Sequence, residues 1–148
     1  MYIKRSLWVI LFYPFVCFAL AGASFIQEIP KEIPESFNKG NSRELARHFN
    51  NNIELFVLGN EDVYSKSQAE IILRDFFAAN TPVKFELLHK GGKESSLYAI
   101  GNLETIHGNF RIYFLLKLKD EAYLIHLLRI EIVEDASFFQ DQDISEKG

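Results

Sequence analysis

The residues of this 148-residue chain whose chemistry could do work are four histidines, one cysteine and a scatter of tyrosines and serines. His126 is the most promising. It falls in the alternating run Tyr123–Val133, where Leu124, His126, Leu128, Ile130 and Ile132 share one face. Tyr123, Ile125, Leu127, Arg129 and Glu131 share the other. The first set is the more apolar and is expected to face the core or a cavity in it. A lone imidazole placed there is held neutral, because burial disfavours its charged form. Such a group can serve as the general base of an isomerase or hydro-lyase, helped by Tyr98 or Tyr113 within hydrogen-bond reach. Tyr113 alternates with Phe114 and is expected on the opposite face, which leaves His126 and Tyr98 as the catalytic candidates. The same placement describes a core histidine bonded to a backbone carbonyl or a tyrosine, and the two readings stay open.

Other constellations lack the spacing their chemistry needs. His48, His89, His107 and His126 show no H-x-H or H-x-x-x-H pair, so no metal site is expected. Ser95-Ser96 has no nucleophile-elbow context. Gly91-Gly92 and Gly108 separate strand-like runs, which makes them turns and not phosphate cradles. No cofactor is expected. His48 with Asn50, Asn51 and Asn52 falls where a helix meets a strand and could form the polar rim of a cavity.

The N-terminus reads as a targeting segment. Lys4 and Arg5 precede an uncharged apolar run from Leu7 to Leu20, and Ala19-Leu20-Ala21 and Ala21-Gly22-Ala23 fit a small-residue cleavage signal. The run is interrupted by Pro14 and is shorter than the ~20 residues of a membrane-spanning helix. Residues 1–23 are therefore expected to be a cleaved signal peptide, sending the chain to the periplasm or outside the cell, with no stable membrane insertion afterwards. Pro14-Phe15-Val16 before Cys17 does not suit lipidation, so the cysteine is expected to leave with the signal. What remains has no cysteine, which excludes disulfides and thiolate chemistry.

Losing Lys4 and Arg5, with no acid in residues 1–23, takes the formal charge from −4 to −6. Residues 134–148 hold five acids against Lys147, so the body between is only mildly acidic. That is not the basic footprint of a nucleic-acid binder. The tail has Phe138-Phe139 as its only large apolar pair and reads as solvated and disordered. One domain is expected over residues 24–133.

The elements that must position these residues follow from periodicity. Ile29, Ile33 and Phe37 recur at helical spacing, with Pro34 making that helix short, bent or late. Asn41 with Glu44 reads as a capping box, opening a second helix with Leu45, Ala46 and Phe49 on its apolar side. Ile53–Leu58 and Val63-Tyr64 form a hairpin about Gly59-Asn60. Ser65 with Gln68, or Ser67 with Glu70, caps a helix whose stripe is Ala69, Ile72, Leu73, Phe76 and Phe77, ended by Asn80-Thr81-Pro82. After Pro82 the chain alternates as four long strands, with turns at Gly91-Gly92, His107-Gly108-Asn109 and Asp120-Glu121.

With that order in place, the chain resembles an uncharacterised family of exported bacterial domains with the nuclear-transport-factor-2-like (cystatin-like) fold. The resemblance covers about residues 28–133. It is carried by Gly40-Asn41-Ser42-Arg43-Glu44-Leu45-Ala46, Tyr64-Ser65-Lys66-Ser67-Gln68-Ala69-Glu70, Asp75-Phe76-Phe77 and His89-Lys90-Gly91-Gly92. It implies an α+β cone, N-terminal helices packed on a curved antiparallel sheet of about six strands. It brings no activity and no catalytic residue.

Helices can cover only one face of such a sheet. The other is expected to present Tyr113, Leu115, Ile125 and Leu127 among Arg111, Lys117, Arg129 and Glu131, an apolar and charged mixture suited to a homodimer. The favoured reading is an exported non-catalytic domain that dimerises there and binds a protein or small apolar ligand. The alternative is the His126 enzyme, and a domain that plugs another protein's site is a third. Fourteen phenylalanines argue for a filled cone.

Overall fold

The computed structural model describes residues 28–134. The expected signal peptide (residues 1–23) and all of the acidic tail after Glu134 lie outside the described residues.

Helix α1 spans Glu32–Lys39 and buries Ile33 and Phe37, with Ile29 buried just before it. Pro34 falls in its first turn, where backbone N–H groups have no intrahelical partner to lose, so the helix is short but intact. It ends at Gly40, whose left-handed backbone (φ 61°) lets the next amide, Asn41 N–H, donate to Ser36 O at 2.9 Å. Asn41 Oδ1 then accepts from Glu44 N–H at 3.0 Å and opens α2, Ser42–Arg47. Phe49, expected on α2, instead starts strand β1, Phe49–Val57. Hairpin partner β2 covers Asn60–Ser65. The reciprocal Ser65–Gln68 capping box starts α3, Lys66–Ala79, which buries Ala69, Leu73, Phe76 and Phe77.

Four strands follow: β3 Pro82–Lys93, β4 Ser96–Thr105, β5 Gly108–Lys119 and β6 Ala122–Ile132. The β3–β4 turn is at Glu94 and Ser95; Gly91 and Gly92, expected as the turn, belong to β3. All six strands form one curved, unclosed sheet in the order β2-β1-β6-β5-β4-β3. Adjacent strands are antiparallel except β1 and β6, which run parallel. The antiparallel sheet expected from sequence is thus present, with one parallel seam between β1 and β6. The chain passes through α3 and the meander before β6 returns beside β1, a long-range pairing that no local pattern signals.

The inner face is filled by rings. Phe37 of α1 stacks on Phe85 (4.8 Å between centroids) and on Phe114 (6.1 Å), and meets Phe77 edge-on (6.2 Å). Phe76 packs edge-on against Phe110 at 5.1 Å. Offset and edge-on aromatic pairs of this kind add to the apolar area they bury.

One register shift decides the fate of the sequence candidates. Leu115 lies opposite Leu127, and Leu116 opposite Ile125, which leaves His126 as an extra residue in β6. Strict alternation along β6 therefore fails at His126. Ile125 is completely buried with Leu128 and Ile130, and is not on the outer face where alternation placed it. His126 and Leu127 are both half-buried, between those buried neighbours. β1 is irregular at the same level: Phe49 pairs with Ile125 but Glu54 with Leu127, with Asn50, Asn51 and Asn52 taking up the slack.

Candidate functional site

All three helices pack on the inner face, against β3, β1 and β2 and against one another. The outer face of the central strands carries a set of half-buried large side chains: Tyr98 and Ile100 on β4, Tyr113 and Leu115 on β5, Leu127 on β6 and Phe56 on β1. Their inward neighbours Ala99, Ile112, Phe114, Leu128 and Leu55 are buried, which fixes this set as the outward one. β5 and β6 are the two middle strands, so the Leu115–Leu127 pair marks the centre of the sheet.

Two polar arrangements frame that centre. On one side Tyr98 stacks on Tyr113 (6.4 Å, 26°), and its hydroxyl lies 3.3 Å from His89 Nε2. Tyr98 thus shares its hydrogen bond with His89 and not with His126. On the other side the Arg129 guanidinium lies 4.7 Å above the Phe56 ring, with Glu131 at 3.3 Å and Glu61 at 3.9 Å. Sequence reasoning found Arg129 and Glu131 but missed Phe56 and Glu61. Only the parallel pairing puts β1 beside β6, with β2 one strand further out.

His126 sits in the bulge between these arrangements. Lys119 Nζ on β5 reaches Asn50 Oδ1 on β1 at 3.4 Å, so its side chain spans β6 at this level. The His126 Nε2 is shielded from solvent and has no hydrogen-bond partner among the described residues. Desolvation, then Lys117 and Lys119, push its pKa below the ordinary histidine value. The lowered pKa is in the direction expected from sequence, but His126 is the extra residue of the bulge and is only half-buried.

His48 is the other histidine with a lowered pKa. Desolvation is the main cause, opposed by Glu32 and Glu44 and reinforced by Lys66 and Arg47. Near it an open cleft of about 510 Å³ lies between α2 and the start of α3. Arg43, Arg47, Lys66 and Glu70 line it together with Asn51, one of the asparagines expected on a polar rim. Arg43 and Arg47 are exposed and paired, Arg43 with Glu70 at 3.8 Å and Arg47 with Glu44 at 3.4 Å, while the half-buried Lys66 donates to Arg47 O at 3.4 Å. A second cleft of about 320 Å³ opens between the hairpin and α3, lined by Leu55, Val57, Leu58, Tyr64 and Ile72 with Asn60. Among the described residues no group of three His, Cys, Asp or Glu side chains is placed to hold a metal ion, and no helix is long and apolar enough to cross a membrane.

Comparison with known proteins agrees with this architecture. Residues 30–131 match the family model "Domain of unknown function (DUF4783)". A member of that family from Bacteroides ovatus, solved as a crystal structure, is 33% identical, with 74% of this chain and 99% of that one covered and a TM-score of 0.71. One from Bacteroides fragilis is also 33% identical, covering 72% of this chain and all of that one at a TM-score of 0.69. A cystatin-like domain of unknown function from Nostoc punctiforme is 12% identical, covers 79% of this chain and 82% of that one at a TM-score of 0.61, and shares the fold alone. No curated protein matches the chain. The architecture is the nuclear-transport-factor-2-like, cystatin-like one. The chain belongs to the DUF4783 family of domains of unknown function.

Proposed function

We propose that this chain is an exported, non-catalytic domain that associates with a second copy of itself through the outer face of its sheet. The observation that carries the reading is the half-buried set Tyr98, Tyr113, Leu115 and Leu127 at the centre of a face that no described helix covers. Isolated surface hydrophobics need no explanation, but a contiguous set of this kind with charged residues around it favours a protein contact. A two-fold dimer is the simplest contact available to a single chain. Of the residues expected there, Tyr113, Leu115 and Leu127 remain in the set, and the buried Ile125 leaves it. Export rests on the basic and apolar segment of residues 1–23.

The test is the mass in solution of the chain lacking residues 1–23, by sedimentation equilibrium. A dimer is expected, and Leu127→Glu is expected to give a monomer with unchanged circular dichroism. A monomer mass for the unsubstituted chain at about 0.1 mM, where even weak specific contacts are populated, would remove the interface.

A further inference from the structure

The bulge places His126 next to Leu127, beside the centre of the outer face. A two-fold contact is self-complementary, so an axis near Leu115 and Leu127 brings both copies of this patch together. Each copy then contributes one His126 ring to the region that loses water. The neighbouring side chains decide which protonation state can be enclosed there. From β5 they are Lys117, opposite Leu124, and Lys119, which spans β6 to reach Asn50. From β1 they are the neutral Asn50 and Glu54, which pairs with Leu127 and makes no ion pair among the described residues. No described helix packs on this side. The charges acting on the ring are thus the two lysines, both of the sign an imidazolium would carry.

A neutral His126 can be enclosed at low cost, its Nε2 being already shielded and unpartnered in the single chain. An imidazolium there must lose water beside two ammonium groups and meet the same arrangement on the partner. We propose that His126 is the acid-sensitive element of the interface, so that the two copies stay together near neutral pH and separate as the ring takes up a proton. The inference rests on the dimer reading above and adds its regulation. The second outward histidine, His89, already has Tyr98 as a partner at 3.3 Å and is the control.

The experiment is sedimentation velocity at pH 7.5 and pH 5.5 on the chain lacking residues 1–23, alongside His126→Gln and His89→Gln. The unsubstituted dimer is expected to weaken about tenfold or more at the lower pH, equivalent to one unit of pKa difference between free and paired chains summed over the two rings. His126→Gln should abolish that response and His89→Gln should keep it. Equal dissociation constants at both pH values would overturn the inference while leaving the dimer standing. So would a response that persists in His126→Gln. A monomer at pH 7.5 would instead remove the dimer itself, and the inference with it. Because a bulge variant can misfold, the His126 ring is also titrated by NMR in the unsubstituted chain at high and low protein concentration. A lower midpoint at high concentration is expected, and coincident midpoints would overturn the proposal.

Discussion

The ring of Phe85 occupies the space that a side chain on Gly101 would need: a methyl group at residue 101 would fall 2.4 Å from Phe85 Cζ and 3.0 Å from Glu86 O. Phe85 in turn stacks on Phe37, so the bare backbone of β4 is what allows α1 to close on the sheet. Gly101→Ala forces the ring off Phe37 or bends β4 away. Overpacking of this kind costs about 1–3 kcal/mol, and a drop in the urea midpoint of that size with an unchanged slope is the expected result.

Gly91 has the same relationship with Tyr98 on the opposite face, where a methyl group would fall 2.7 Å from the tyrosine hydroxyl. Here the obstruction is the far end of a side chain that can swing toward solvent. Gly91→Ala is expected to change stability by less than about 1 kcal/mol. It should nevertheless break the His89 contact and the stacking on Tyr113, shifting the ring resonances of all three residues. Tyr98 belongs to the proposed dimer contact, so association is expected to weaken as well.

Ser65 and Gln68 satisfy each other's backbone amides at the start of α3, with Gln68 N–H donating to Ser65 Oγ at 3.3 Å and Ser65 N–H to Gln68 Oε1 at 3.1 Å. Ser65→Ala leaves the amide of Gln68 without that partner. A loss of about 1 kcal/mol in unfolding free energy is expected, with no change in oligomer mass.

Both perturbed histidines make folding acid-sensitive in the same direction. Their folded pKa values lie below the ordinary value of 6.5, mainly through desolvation. The unfolded chain therefore binds more protons as the pH falls through 6.5, and stability falls with it until the folded rings also protonate. Urea midpoints measured between pH 7.5 and 5.5 should decline in that window, and His48→Gln should flatten part of the slope. A midpoint that rises on acidification would contradict the assignment.

Much of the fold was legible because local rules and tertiary packing agree. The spacing of Ile29, Ile33 and Phe37, the Ser65–Gln68 cap and the alternation Phe110, Ile112, Phe114, Leu116 all lead to elements that bury those residues. The candidate site was less legible, for one physical reason. Side-chain direction in a strand is known from sequence only while the pleat is unbroken, and a single extra residue reverses it for everything beyond.

The sequence alone determined the order of helices and strands and the inward faces of α1, α3 and β5, because these depend on interactions within a few residues. Only the tertiary structure decided that β1 and β6 pair in parallel, that Ile125 is core, and that His126 is the extra residue of a bulge in β6. The first depends on register between strands far apart in the chain, and the other two on a break in the β5–β6 register, neither of which a local pattern fixes.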